Sequence, residues 1–394
     1  MAGLAGATPP WSLRPPVECE ADHNPACYRY VTKPNCKADR PGDCIAIVPI
    51  RSGACALQPD QPPAGCSGPG ATVFHKGMAG SVCYRVPTIF RTAKGTLLAF
   101  AEQRVASCGD NSPVNLVLRR SKDGGKTWGD IIVAAESHGQ PLSNPNPVEV
   151  DLRNGKRAVL LHFDTMNNPS AEKHGALMQL WSRDDGLTWG EAAVLDAAMP
   201  QGSAGCMPGP SVGVQGTDGA IYFTCHMKRG ALLYWSRDLG RTWQHSKPID
   251  YLNECSTALL GNQSVVGNCR TLFRQRAQVT WSSAGEELAP VAEPKGLVDP
   301  NCQGSLVSHG GALLLSNNNN ASGRSHLTVK HSRDGGRTWD AGKLVWAGKS
   351  GYSQLVSWPA AFFAGGRMLG VLFENGELSG SSANDRISFL AWHV

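Results

Sequence analysis

Four stretches of the chain share one octamer: Ser121-Lys122-Asp123-Gly124-Gly125-Lys126-Thr127-Trp128, and its counterparts Ser182–Trp189, Ser236–Trp243 and Ser332–Trp339. The common pattern is Ser-x-Asp-x-Gly-x-Thr-Trp. A β-rich run precedes each copy: LVLRR, ALMQLW, ALLYW and HLTVKH. These features predict a hairpin turn. The Asp carboxylate accepts hydrogen bonds from turn N–H groups, the Gly supplies a positive φ, and the Trp packs beneath the turn as an anchor. Nothing in the octamer is catalytic, and its Asp-Gly pairs lack the acidic spacing of a helix–loop–helix calcium site. A fifth, worn copy stands at Trp281-Ser282-Ser283-Ala284-Gly285, where the Asp is lost.

A second repeat surrounds the first. Six segments read as a strand, a polar or Gly-rich turn, and a more apolar strand: Arg85–Arg104, Asn146–Phe163, Gly209–His226, Glu254–Arg270, Gln303–Asn318 and Tyr352–Gly376. Their starts are spaced by 61, 63, 45, 49 and 49 positions. A period of about 50 residues with several strands per repeat predicts a β-propeller. Six copies predict six blades, with the octamer joining the two outer strands of a blade. Composition agrees: 394 residues with 45 Gly and 26 Pro suit short strands and tight turns rather than helices.

Other function classes recede. Lys and Arg number 37 and Asp and Glu 32, a net charge of +5. That mild excess, without a long basic run, calls for neither nucleic acid nor a membrane surface. No apolar stretch is long enough to cross a bilayer. The opening residues, MAGLAGATPPWSLRPP, do not read as a signal peptide. The cysteines point the other way. Six of the 13 lie in the first 70 residues (Cys19, Cys27, Cys36, Cys44, Cys55, Cys66), with no Cys-x-x-Cys pair to suggest zinc. Residues 1–70 are expected to form a Cys/Pro-rich, disulfide-stapled segment before the propeller of residues 71–394. This favours a secreted, lysosomal or endomembrane setting. Cys206 with Cys225, and Cys255 with Cys269, are expected to staple neighbouring strands.

In a propeller, equivalent strand ends converge on one face around the axis. First-strand starts here carry Arg85, Glu254 and Tyr352. Second-strand ends carry Arg104, Asp110 just beyond, Arg270, Arg324 after a loop, and Glu374. Arg85, Arg270 and Arg324 would bind a carboxylate by charge-assisted hydrogen bonds, with Glu374 holding one guanidinium. Asp110 would act as a general acid if burial raised its pKa. Tyr352 and Glu254 form a nucleophile–base pair. Most glycosidases use a carboxylate nucleophile, but a substrate with a carboxylate on its anomeric carbon would repel one. A neutral tyrosine, deprotonated as it attacks, avoids that repulsion.

From about residue 72 to 394 the chain resembles the exo-α-sialidases, and the animal-type enzymes in particular. Tyr84-Arg85-Val86-Pro87 is similar to the family's Arg-Ile-Pro motif, with Val86 in place of Ile. The octamers resemble its Asp boxes, and LLAFAEQR followed by Asp110 resembles the animal-type pattern. The resemblance implies a six-bladed propeller that removes terminal α-linked sialic acids from glycoproteins, oligosaccharides or gangliosides with retention, without metal or cofactor. It implies Arg85, Arg270 and Arg324 as the carboxylate triad, Asp110 as acid/base, Tyr352 as nucleophile activated by Glu254, and Glu374 as brace of the first arginine. Glu102 and Arg104 would support the acid/base region.

The same residues would also serve sialyl transfer, release of an anhydro product, or a deaminated sialic acid such as KDN. A non-catalytic glycan-binding propeller is the alternative from another class. The histidines show no metal-ligand spacing and read as structural or surface residues. Asn262-Gln263-Ser264 and Asn320-Ala321-Ser322 are glycosylation sequons if the chain is secreted.

Overall fold

The computed structural model describes residues 28–32, 45–49, 70–166, 175–195, 205–228, 230–359, 367–376 and 382–394. Among them the chain is all-β and propeller-like, with twenty-six strands and only a short 3-10 turn at Met78–Gly80. Strands Tyr28–Thr32 and Ile45–Pro49 pair as an antiparallel ribbon. The cysteine pairing expected within residues 1–70 lies outside the described residues.

Each later sheet is an antiparallel meander in chain order. The first contains Cys83–Arg91, Leu97–Arg104, Val114–Ser121 and Ile132–Ala135. The second contains Leu142–Asp151, Arg157–Thr165, Leu177–Ser182 and Ala193–Val194. The third is built on Ile221–Met227 and Gly230–Ser236, and the fourth on Leu252–Leu259, Val265–Thr271 and Arg276–Trp281. The last sheet has seven strands, because the 17-residue strand Lys343–Pro359 serves two meanders. One runs from Ser305–His309 to this strand. The other runs from it through Arg367–Asn375 and Arg386–His393 to Gly70–His75, which brings an early strand back to the end of the chain.

Sheets pack face to face with their neighbours through separate apolar cores. Phe100 and Leu118 of the first meet Leu161 and Phe163 of the second. Leu160 of the second meets Phe223 and Tyr234 of the third. Tyr222 and Trp235 of the third meet Val265 and Trp281 of the fourth. Ala258 and Val266 of the fourth meet Leu306 and Leu315. Leu314 and Val329 meet Leu355 and Phe373 across the two halves of the seven-stranded sheet. Finally Phe74, Leu372 and Phe389 of that sheet meet Tyr84, Ile89 and Ala99 of the first. The cores therefore succeed one another and return to their start. This is why the alternation of apolar residues is weak here: inner strands such as Leu97–Arg104 are buried on both faces.

The octamers occupy the expected place, between the third and fourth strands of their sheets. In each, the Asp accepts from the Thr N–H and the Thr hydroxyl, as Asp123 does from Thr127 at 3.0 and 2.5 Å. The Ser hydroxyl donates to that Asp and accepts from the Gly N–H. In the worn copy Ser282 keeps the bond from a backbone N–H four residues on, at 3.2 Å from Glu286, while Ala284 contributes no carboxylate. The octamer also does something its sequence does not reveal: it wedges against the preceding sheet. Trp128 meets Phe389 edge-on with centroids 5.6 Å apart, and Trp189 meets Phe100 at 5.8 Å. Gly125 has φ +92°, and a Cβ there would collide with the Phe389 ring. Gly125→Val is therefore expected to cost about 2–4 kcal/mol, combining a disallowed backbone with overpacking. A lower urea midpoint at unchanged m-value would register this.

Candidate active site

The site forms where the first strands of successive sheets enter, and the backbone there is irregular. Pairing shifts register between Arg85 and Thr88, Ser143 and Asn146, Leu252 and Cys255, and Ser350 and Ser353. Bulges of this kind re-aim side chains. They carry Val86, Asn144, Glu254 and Tyr352 respectively. Val86 has φ +53°, an outlier for a β-branched residue. Its N–H is held by Glu374 Oε1 at 2.8 Å.

Glu374 is the hub. It is fully buried and takes Arg85 as a fork, Nε to Oε1 at 3.0 Å and Nη2 to Oε2 at 3.1 Å. Its Oε2 also accepts the Tyr352 N–H at 2.9 Å. This close approach requires Gly351, where any Cβ would overlap the carboxylate. One side chain thus fixes an arginine, the bulge beside it and the backbone of Tyr352, in strands far apart in sequence.

Tyr352 donates its phenolic hydrogen to Glu254 Oε1. Glu254 Oε2 accepts from Arg270 Nη1 at 2.9 Å, and the same nitrogen lies 3.4 Å from the Tyr352 oxygen. Arg85 and Arg324 stand against the Tyr352 ring, with guanidinium carbons 5.4 and 5.7 Å from its centroid. Burial, reinforced by the charge of Glu254, pushes the Tyr352 phenol well above its ordinary pKa. It is a neutral phenol beside a carboxylate that is placed to take its proton. Burial opposes the charges of Arg85 and Arg270. Glu374 outweighs that for Arg85, and Glu254 with Tyr352 for Arg270, so both stay above their usual range.

Sequence-predicted residues Arg85, Glu374, Tyr352, Glu254, Arg270 and Arg324 therefore form one connected group. Glu102 pairs in register with Arg85 and leads to a second. Its Oε2 accepts from Arg104 Nε at 3.0 Å, and its Oε1 from the Ser143 hydroxyl at 2.8 Å and the Asn144 N–H at 3.0 Å. Arg104 Nη1 reaches Asp110 Oδ1 at 2.7 Å. Asp110 departs from expectation in one respect. It is 65% exposed, so the expected burial is not supplied by the protein's own side chains. Most residues of its loop are exposed as well.

Two features escaped the sequence. Asn301, at φ +68°, accepts Arg270 Nε on its side chain at 2.9 Å and Arg324 Nη2 on its carbonyl at 3.1 Å. It spaces two arginines of the group. The segment is anchored by the buried Arg276–Asp299 pair at 2.9 Å and by Asp299 accepting the Cys302 N–H at 2.8 Å. Cys302 itself is a buried free thiol packed with Val86 and Tyr352, and burial pushes it up to about 12. The run Asp299-Pro300-Asn301, a cluster of turn residues, was the available signal. The second feature is the disulfide Cys83–Cys108, beside the two expected pairs Cys206–Cys225 and Cys255–Cys269. Among the described residues no cluster of His, Cys, Asp or Glu is arranged to hold a metal.

Comparison with known proteins finds sialidases among this chain's relatives. The family model described as a BNR repeat-like domain matches residues 95–364. A sialidase of Micromonospora viridifaciens is 26% identical over 372 residues, covering 85% of this chain and 55% of its own length. Sialidase-3 of Mus musculus is 31% identical over 278 residues, covering 60% of this chain and 65% of its own. This chain thus spans less than two thirds of either relative. Among solved structures, the Hadza microbial sialidase Hz136 superposes with a TM-score of 0.70 at 26% identity, over 82% of this chain and 68% of that one. With its BNR repeat-like domain and these relatives, the chain belongs to the exo-α-sialidase family.

Proposed function

We propose that the chain is an exo-α-sialidase that hydrolyses terminal α-linked sialic acids from glycoconjugates with retention, using Tyr352 as nucleophile. The observation that carries this reading is the Tyr352–Glu254 hydrogen bond inside a cluster of three arginines. Arg85, Arg270 and Arg324 bind the substrate carboxylate. Tyr352 Oη attacks the anomeric carbon while Glu254 Oε1 takes the phenolic proton. Asp110 gives its proton to the leaving glycosidic oxygen, then takes one from the water that breaks the glycosyl–tyrosine bond. The proton on Glu254 returns to the phenolate as Tyr352 leaves. Burial and the adjacent Glu254 charge make a free phenolate costly, so deprotonation and attack belong to one step.

The propeller has six blades in this reading. The seven-stranded sheet counts as two, sharing Lys343–Pro359, and the closed succession of apolar cores supports that count. Residues 71–394 form the catalytic domain, and residues 1–70 a separate segment. The three disulfides among the described residues favour an oxidising compartment.

The test is release of fluorophore from a 4-methylumbelliferyl α-sialoside by the purified chain between about pH 4 and 8. Turnover is expected. A folded chain that releases no fluorophore anywhere in that range would contradict the reading.

A further inference from the structure

Asp110 sits on an exposed loop, yet an acid catalyst must be held within hydrogen-bond reach of the oxygen it protonates. The loop between Arg104 and Val114 makes few bonds to the body of the protein. Val105 N donates to Pro113 O at 3.3 Å, which closes its base. Gly109 N to Ser107 Oγ at 3.2 Å and Ser112 Oγ to Ser107 O at 3.0 Å are internal to it. Beyond the base, it is tied to the sheet at Arg104, whose guanidinium reaches the Cys108 carbonyl and Asp110, and at the disulfide Cys83–Cys108. Cys83 is fully buried in the strand that carries Arg85, two residues before it. Cys108 lies two residues before Asp110. The bond thus joins the acid's loop directly to the strand of the first arginine.

We propose that the Cys83–Cys108 disulfide is a positioning element for Asp110, which sets the acid against the pocket. Resting on the sialidase reading, it makes transfer of the proton to the leaving group depend on a covalent tie outside the reacting residues. Without the bond, the loop beyond its base is tied to the sheet only through Arg104, by the ion pair to the exposed Asp110 and the bond to the Cys108 carbonyl, and exposed pairs restrain a loop weakly. Arg85 shares the strand of Cys83 but is held by its fork to Glu374, and Arg270, Arg324, Tyr352 and Glu254 lie elsewhere, so the pocket keeps its geometry.

The signature is leaving-group dependence. An aryl leaving group departs with little acid assistance, whereas a sugar hydroxyl needs it. In Cys108→Ala, which leaves Cys83 to fill its buried site, kcat/KM for 3′-sialyllactose, which reports the acid-assisted first step, is expected to fall at least ~10-fold, a part of the roughly 10²–10⁴-fold that a general acid contributes. kcat/KM for the 4-methylumbelliferyl sialoside is expected to fall no more than about threefold. Asp110→Ala should show the same split on a larger scale. The double variant Cys83→Ala/Cys108→Ala serves as the second test of the same bond, and circular dichroism confirms folding. Equal losses on both substrates, or no loss on either, in whichever variant folds would overturn the proposal, since a merely structural bond lowers both by the folded fraction. Absence of wild-type turnover on both substrates would instead count against the sialidase reading itself.

Discussion

Tyr352→Phe is expected to lose turnover of α-sialosides by at least ~10³-fold, the scale on which removal of a nucleophile acts. The fold should survive. Phe fills the same space against Val86 and Cys302, and the Arg85 and Arg324 guanidinium groups keep an aromatic face. Glu254 loses the phenol but retains Arg270 at 2.9 Å, so no carboxylate is left without a partner. The stability change should be near the value of one hydrogen bond, about 1 kcal/mol. Kinetics on the fluorogenic sialoside, with a thermal melt of the same sample, check both halves. Retained activity would mean that Tyr352 is a ring stacked between arginines and nothing more.

Glu374→Ala is expected to be the most damaging single change to the fold around the site. Glu374 accepts four hydrogen bonds while fully buried: two from Arg85, one from Val86 N–H and one from Tyr352 N–H. Truncation leaves a guanidinium without its counter-charge and two backbone donors unmet. Breaking a buried pair of this kind costs about 3–5 kcal/mol. The positive φ of Val86 loses the contact that holds it, so the bulge relaxes and Arg85 moves with it. Urea unfolding measures the first effect, and loss of affinity for a carboxylate-bearing sialic acid measures the second. A change below about 1 kcal/mol with unaltered binding would show that Arg85 is held by something other than Glu374.

Much of this was legible in the sequence because it rests on local chemistry. The octamer announces itself through turn residues whose roles are played within eight positions, and Asp123, Thr127 and Ser121 bond to one another as their spacing predicts. The gathering of Arg85, Glu254, Arg270, Tyr352 and Glu374 followed from strand register, since equivalent ends of repeated hairpins share a face. What stayed hidden depends on contacts between sheets or on loop geometry. The wedging of Trp128 against Phe389 joins residues 261 positions apart (389 − 128). Asn301 acts through a positive-φ loop that no periodicity marks. Cys83–Cys108 closes across a hairpin in a chain of 13 cysteines, where spacing selects no partner. The exposure of Asp110 is invisible to the same reasoning because its loop leaves the sheet, and strand register says nothing beyond a strand's end.

In the proposed mechanism Tyr352 forms the covalent bond to the sugar. The most direct measurement is trapping with a 2,3-difluorinated sialic acid, which slows hydrolysis of a glycosyl–enzyme bond, followed by peptide mass spectrometry. One added sialyl group per chain is expected, on the peptide containing Gly351-Tyr352-Ser353, and none in Tyr352→Phe. An adduct on Glu254 or elsewhere, or no adduct while the inhibitor still abolishes turnover, would contradict it.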